Sequence, residues 1–385
     1  MPLFLIYPLH FLIDLFRCIL KKKKIILTVI NDLNYDQRMI RICTSLVQAG
    51  YEVVLVGRSH KESTPLREQP FGQKRLPVGP GKGKMMYFLF WIKLFFHLLF
   101  QKTDAICAID LDTILPVYFA SRLKGVKRAY DAHELFTEMQ EVVTRPREKK
   151  LWDRIEKFSV PRFPVGYTIG ECYADVFREK YGVNYAVVRN ATILRPVIIP
   201  EKKEKFILYQ GAVNVGRCFE FLIPAMQFVD VPLIICGAGN FYDEAVALTR
   251  QYKLEHKITF KGYVPPEQLK EYTLKAWAGI TLFEAIGPSN RLSMANRFFD
   301  YMHSGVPQLC MAYPEYEKVN ARFELANLIE TPSTDTIAAA LNKLVKDEAY
   351  HQKLQQNALK AREIYCWQEE EKRLIAVYRD LFKER

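Results

Sequence analysis

The chain has 385 residues and 49% of them are hydrophobic, enough for two domains of ordinary size, each with its own core. Lysine and arginine number 55 against 43 acidic residues, and the formal charge of +12 asks for an anionic partner: nucleic acid, nucleotide phosphates or an acidic membrane surface. The eight cysteines (Cys18, Cys43, Cys107, Cys172, Cys218, Cys236, Cys310, Cys366) stand singly, with no CxxC pair and no Cys/His cluster at zinc spacing, which points to reduced, mostly buried thiols in a cytosolic protein.

Met1 to Leu20 is rich in Leu, Ile and Phe but is interrupted by His10, Asp14 and Arg17 and followed by Lys21 to Lys24. A secretory signal carries its charges before the apolar run and a small-residue cleavage site after it, and neither is present. As a spanning helix the stretch is marginal in length and carries costly charges, so residues 1–23 read as a surface-lying amphipathic segment or a packing helix. Farther on, Met85 to Phe100 is dense in aromatics and flanked by Lys82, Lys84 and Lys102. It is expected to be a helix that covers a sheet, one whose aromatic face dips into lipid headgroups, or both at once. With no zinc finger, Arg-rich tail or RNA-binding aromatic signature, a membrane surface is the expected anionic partner and nucleic acid is not.

Short apolar runs, Ile25 to Ile30, Val53 to Val56, Ala105 to Ile109 and Arg128 to Tyr130, alternate with amphipathic stretches such as Gln37 to Ala49 and Thr113 to Leu123. That alternation predicts parallel strands joined by crossover helices. A Val/Ile/Pro and charged stretch near Asn190 to Lys205 reads as a linker. The alternation restarts with Phe206 to Tyr209, Pro232 to Cys236, Ile258 to Phe260, Ala278 to Phe283 and Val306 to Met311. The expected fold is α/β with two doubly wound domains, over 24–200 and 201–363. Residues 364–385 follow as a terminal helix, with Leu374, Val377, Leu381 and Phe382 on one face and an acidic start and basic finish.

In such sheets ligands sit beyond the carboxyl ends of the strands. After the first strand comes Asn31-Asp-Leu-Asn-Tyr-Asp-Gln-Arg38, with no glycine, so the GxGxxG turn of a nicotinamide enzyme is absent. Asp36 either caps the helix that follows or belongs to a polar binding loop with Asn31, Asp32 and Arg38. Asp131-Ala-His-Glu134 sets His133 between two carboxylates at a strand end, suited to a sugar hydroxyl or to proton transfer. No second nitrogen or sulfur lies nearby to make it a metal site. In the second half, Gly211 through Arg217 can present backbone N–H groups and a guanidinium to an anion, and Gly237 and Gly239 allow close approach of a ligand. Ser293 to Gln308 reads as a short helix stopped by Gly305; Asn296 and Asp300 share a face that His303 extends, while Phe299 and Met302 anchor it. Asp300 is placed to accept two hydrogen bonds from a ribose diol, or to pair with Arg297 or another cation.

These segments, together with Asn296-Arg-Phe-Phe-Asp-Tyr-Met302 and Gly305-Val-Pro307, resemble in the same order those of the GT-B glycosyltransferases of family 4 (group 1), over roughly residues 24 to 385. The resemblance implies two Rossmann-like domains facing a cleft, with a nucleotide-sugar held mainly by the second, the acceptor mainly by the first, and a terminal helix that crosses back. By that match Asp300 is the ribose acid, Arg217 the base facing the diphosphate and His133 the histidine near the transferred sugar. Gly211, Gly237, Gly239, Asn296 and Arg297 complete the donor side, and Asn31, Asp32, Asp36, Arg38 and Glu134 the acceptor side. The family's paired acids stand eight apart, but eight before Asp300 is Leu292, so Glu284 is the candidate to take over part of that role. The basic residue common after the first glycine is here Ala212, leaving phosphate neutralisation to Arg217 with Lys261, Arg291 or Arg297. Asp110-Leu-Asp112 spells a metal motif but lies in the acceptor half, so neither metal nor cofactor is expected beyond the nucleotide-sugar substrate. The expectation is a retaining transfer to a lipid-linked saccharide for surface polysaccharide, by a cytoplasmic protein peripheral on the inner face of the membrane. A nucleotide-sugar 2-epimerase of the same fold and a non-catalytic binding subunit are the alternatives.

Overall fold

The computed structural model describes residues 22–34, 36–59, 63–78, 83–196 and 204–383. All but the last two residues of the apolar and basic segment expected over 1–23, and residues 197–203 of the expected linker, lie outside them.

Runs of β-branched and apolar residues form the strands. The first sheet contains β1 (Lys24–Thr28), β2 (Glu52–Ser59), β3 (Gly72–Pro77), β4 (Ala105–Ile109), β5 (Lys127–Ala132), β6 (Gly166–Thr168) and β7 (Ala186–Val187). The second contains β8 (Ile207–Gln210), β9 (Leu233–Cys236), β10 (Ile258–Gly262), β11 (Ala278–Thr281), β12 (Gln308–Met311) and β13 (Ala326–Ile329). Their orders are β3-β2-β1-β4-β5-β6-β7 and β10-β9-β8-β11-β12-β13. β1 pairs in parallel with both β2 and β4, and β8 with both β9 and β11. Each sheet therefore reverses its winding once, beside its first strand, and that is where doubly wound sheets bind ligands. Every residue of β4 is buried, as a parallel strand covered on both faces requires.

By density of contacts the chain divides into two compact units. One holds the described residues up to Asp131, Arg162–Val165 and the chain from Val377; the other holds Ala132–Pro161 and Gly166–Ala376. In the first unit, Met39, Ile42, Cys43 and Leu46 recur at helical spacing and bury one face of the helix Gln37–Gln48. The helix Lys84–Phe100 buries Phe90, Leu94 and Leu98. It is tied to the next helix, Asp110–Lys124, by Trp91 Nε1 donating to Asp112 O at 2.6 Å and by Lys124 Nζ donating to Leu99 O at 3.0 Å. Its other side is an exposed stripe of Met85, Phe88, Leu89, Ile92, Phe96 and Phe100, continued by Phe119 and Leu123. The aromatic segment thus has one buried and one exposed side.

In the second unit the helix Asn296–His303 buries Phe298, Phe299 and Met302 in the core around β8, β9, β11 and β12. Its His303 is buried as well, with Nε2 hydrogen-bonded to Tyr365 O at 3.0 Å, so the face shared by Asn296 and Asp300 ends in packing. The terminal helix Trp367–Phe382 is anchored at its start, where Trp367 N donates to Thr192 O at 2.9 Å and Glu370 accepts from Arg189 N at 3.0 Å. Within the first unit its far end sets Phe382 and Tyr378 against the ring of Tyr51, at 5.7 and 6.3 Å.

Asp112 sits in the first turn of its helix near Tyr87 and Arg58, with Oδ1 buried and without a hydrogen-bond partner. Burial pushes its pKa from an ordinary 3.8 up to about 7, against a hydrogen bond from Tyr87 and the Arg58 charge. Between those two values the folded chain holds a proton that the unfolded chain has released. Stability is therefore expected to fall as pH rises from about 4 to about 7, and Asp112→Asn should flatten that slope in denaturant titrations.

Candidate functional site

At the carboxyl end of β8 the chain enters the loop Gly211 to Arg217, which is closed against the loop after β9. Gly211 N donates to Cys236 O at 3.0 Å, Val213 N to Ala238 O at 3.1 Å and Val215 N to Asn240 Oδ1 at 3.0 Å. A Cβ on Gly237 would stand 1.8 Å from Gly211 O, and one on Gly239 2.2 Å from Val213 O. These glycines are required by the approach of two loops of the chain itself. Three N–H groups of the Gly211 loop are spent in the same contact, and those of Ala212, Asn214, Gly216 and Arg217 lie outside it.

Two side chains at this corner are arginines. Arg297, in the first turn of its helix, is buried; its guanidinium lies over the Tyr209 ring, 4.6 Å from the centroid, and Nη1 donates to Gln210 O at 2.8 Å. Its Nε is buried without a hydrogen-bond partner. Arg217 is half-buried over the Phe283 ring at 5.6 Å, held by a turn in which Cys218 adopts a left-handed φ of 61°. Among the described residues Arg217 makes no hydrogen bond or ion pair to a protein group, and no carboxylate salt-bridges Arg297. Burial and the neighbouring Arg297 charge both lower the Arg217 pKa. Two guanidiniums set close together without a paired acid repel each other until an anion arrives.

Asp300 does not pair with Arg297. Its Oδ1 accepts from Thr192 Oγ1 at 2.8 Å and its Oδ2 from Gln210 Nε2 at 3.1 Å, with Thr273 Oγ1 donating in turn to Gln210 Oε1 at 2.8 Å. Asn296, one turn earlier and exposed, accepts from Asn190 Nδ2 at 2.7 Å.

His133 and Glu134 follow β5 directly, in the same unit as Arg217. Glu134 Oε2 accepts from Ser289 Oγ at 3.0 Å, and Ser289 Oγ lies 2.9 Å from Tyr173 OH. Burial raises the Glu134 pKa and Glu141 adds to that, against the Ser289 hydrogen bond and the charges of His133 and Arg217. This places Glu134 beside the arginine corner. Ser289 and Tyr173 were not anticipated from the sequence; the only signal was Gly287-Pro288, which sets Ser289 in the first turn of the helix Pro288–Leu292. Glu284, three residues beyond β11, has its pKa raised by burial and by Glu220. It lines a pocket of about 490 Å³ with Arg291, Tyr313, Glu317 and Glu330, at the carboxyl ends of β11, β12 and β13.

The remaining sequence candidates lie in the first unit, at the turn after β1. Asp36 Oδ1 accepts from Met39 N at 3.1 Å as a helix cap, and its Oδ2 accepts from Asn31 Nδ2 at 3.2 Å. Asp32 accepts from Arg75 Nη2 at 2.6 Å, Ser63 Oγ at 2.7 Å and Asn34 N at 3.0 Å. Arg38 Nη2 donates to Asp131 Oδ1 at 2.9 Å, both side chains buried. The polar loop is thus cross-braced, with Asn31 exposed. No group of three or more His, Cys, Asp or Glu among the described residues is arranged to hold a metal ion.

Two doubly wound parallel sheets with this corner beyond the central strand of the second define the GT-B fold, and comparisons agree. The structure is similar to sucrose-phosphate synthase from Thermosynechococcus elongatus, with a TM-score of 0.77 at 16% identity over 94% of this chain and 99% of that one. It is also similar to Anabaena HepE in complex with UDP-glucose, with a TM-score of 0.73 at 10% identity over 93% of this chain and 99% of that one. Residues 191–361 match the model of the glycosyl transferases group 1 family. An uncharacterized glycosyltransferase of Methanocaldococcus jannaschii is 25% identical over 184 residues, and the match spans 46% of this chain and 45% of that relative, about half its length.

Proposed function

We propose that the chain is a retaining glycosyltransferase that moves a sugar from a nucleotide-sugar to an acceptor hydroxyl. The observation that carries this is the pair Arg217 and Arg297, two cations with no ion-paired acid beyond β8, inside the region that matches the glycosyl transferases group 1 family. A nucleoside diphosphate supplies the missing charge. When the bond from the anomeric carbon to the phosphate oxygen breaks, negative charge gathers on that oxygen, and fixed guanidiniums stabilise it without reorganising. The acceptor oxygen takes the carbon, and its proton leaves with the diphosphate. In this reading Asp300, held by Thr192 and Gln210, receives the ribose hydroxyls with Asn296 beside it. His133, Glu134 and Glu284 flank the transferred sugar, and the turn Asn31 to Arg38 serves the acceptor. In the same reading residues 24–200 would hold the acceptor, 201–363 would hold the donor, and 364–385 would be the segment that crosses back. The exposed aromatic stripe of the helix Lys84–Phe100 and the charge of +12 favour a lipid-linked saccharide acceptor in surface-polysaccharide synthesis, met peripherally at the inner face of the cytoplasmic membrane. No helix among the described residues is long and apolar enough to cross a membrane.

A thermal-shift panel of UDP, GDP, ADP, dTDP and CMP tests the donor half. A ligand at about 100 times its dissociation constant stabilises the fold by ~2.7 kcal/mol. One nucleotide should raise the melting temperature well above the others; a flat panel would overturn the donor site.

A further inference from the structure

The helix Pro146–Ser159 carries its charges in an unusual division. Arg147, Lys150, Leu151, Arg154, Lys157 and Phe158 are all exposed, and their spacing puts them on a single face that runs about 16 Å along the axis. None of the four cations on that face makes a hydrogen bond or ion pair with a protein group among the described residues. Leu151 and Phe158 stand one above the other, two turns apart, 45% and 37% exposed.

The three acids of the helix, Glu148, Asp153 and Glu156, are each less exposed than these cations. Asp153 pairs with Lys149 at 3.3 Å, and Glu156 is buried, accepting from Thr137 Oγ1 at 3.0 Å and from the Tyr181 hydroxyl. A merely solvated helix face mixes both signs, because like charges one turn apart repel. Here cations stand three and four apart, and the one acid among them, Asp153, three after Lys150 and four before Lys157, is held by Lys149. Arg147 also stands in the first turn, where a cation opposes the helix dipole.

We propose that this face is a docking surface for the anionic headgroups of a lipid bilayer, with Leu151 and Phe158 reaching the acyl boundary between the four cations. Charge complementarity selects the occupant: a flat array of phosphates satisfies all four cations at once, while the two apolar side chains gain by leaving water. The inference rests on the reading that the chain works at a membrane. It adds an electrostatic contact, sensitive to lipid charge, to the apolar stripe of the helix Lys84–Phe100.

Vesicle flotation of the full chain tests it, with vesicles of phosphatidylcholine alone or with one third phosphatidylglycerol, in low and in molar salt. The parent should prefer the anionic vesicles, and salt should abolish the preference. The variant Arg147→Gln/Lys150→Gln/Arg154→Gln/Lys157→Gln should lose on the order of a hundredfold or more in binding to anionic vesicles, from the contribution of each surface cation. Its binding to neutral vesicles and its circular dichroism should be unchanged. Anionic binding equal to the parent's overturns the inference, as does a parent without preference for charge. So does loss confined to binding of a single-stranded oligonucleotide, which would make the face a nucleic-acid surface. Phe88→Ser/Phe96→Ser/Phe100→Ser separates the two membrane readings: if it alone weakens binding, the aromatic stripe stands and the basic face fails; if the quadruple variant alone does so, the reverse holds.

Discussion

Arg217→Ala is expected to lower transfer from the nucleotide-sugar by about 10²–10³-fold, the cost of removing one preorganised donor from a developing anion, or ~3–4 kcal/mol. The same variant should lose most of its thermal response to the nucleotide that stabilises the parent. Its behaviour without ligand separates this account from a simple loss of packing. Arg217 is close enough to Arg297 for that charge to depress its pKa, and no acid is paired with either. Removing one of two repelling cations should leave the ligand-free protein at least as stable as the parent. Arg217→Lys keeps the charge but not the forked geometry and should fall between. A melting temperature that drops in the ligand-free variant, with nucleotide response intact, would show that Arg217 serves the fold and not the ligand.

Asp131→Ala is expected to cost ~3–5 kcal/mol, because it removes a carboxylate from beside the buried guanidinium of Arg38. Against a domain stability of roughly 5–15 kcal/mol this is a large fraction. Replacing both members, as Arg38→Met/Asp131→Leu, should cost much less, since no buried charge is left behind. Denaturant midpoints of the single and double variants measure the difference. Equal losses in both would mean that packing of the aliphatic parts, not charge, makes the contact valuable.

The contrast between these two arginines says what a sequence conveys about such a site. β1, β4, β8 and β11 are legible because burial on both faces demands unbroken apolar, β-branched runs. β3 is not, since its sequence Gly-Gln-Lys-Arg-Leu-Pro is that of a polar edge strand, and β6 and β7 are only three and two residues long. The helix carrying Asn296, Arg297 and Asp300 could be placed from its periodicity, but the partners of each side chain could not. Arg38 and Arg217 both follow polar turns after a strand. One is matched by an acid 93 residues away, while the other has no such match, and only long-range contacts decide which. The same distance hides Ser289 from Glu134, 155 residues apart along the chain, and Tyr173 from Ser289, 116 apart. Asp36 reads from the sequence as a cap or as part of a binding loop, and its hydrogen bond to Met39 N shows the cap. The glycines at 237 and 239 were legible as necessary, though what fills the space beside them is the chain's own backbone.

That closeness has a consequence for how the donor corner can change. With the carbonyls of Gly211 and Val213 occupying the places where side chains at 237 and 239 would begin, the two loops form one object, like the halves of a clasp. Variation that alters what the corner binds is confined to side chains pointing away from the seam, such as those at 212 and 217, because any shift of one backbone must be copied by the other. An engineer seeking a different donor would do better to redraw both loops together than to search either alone.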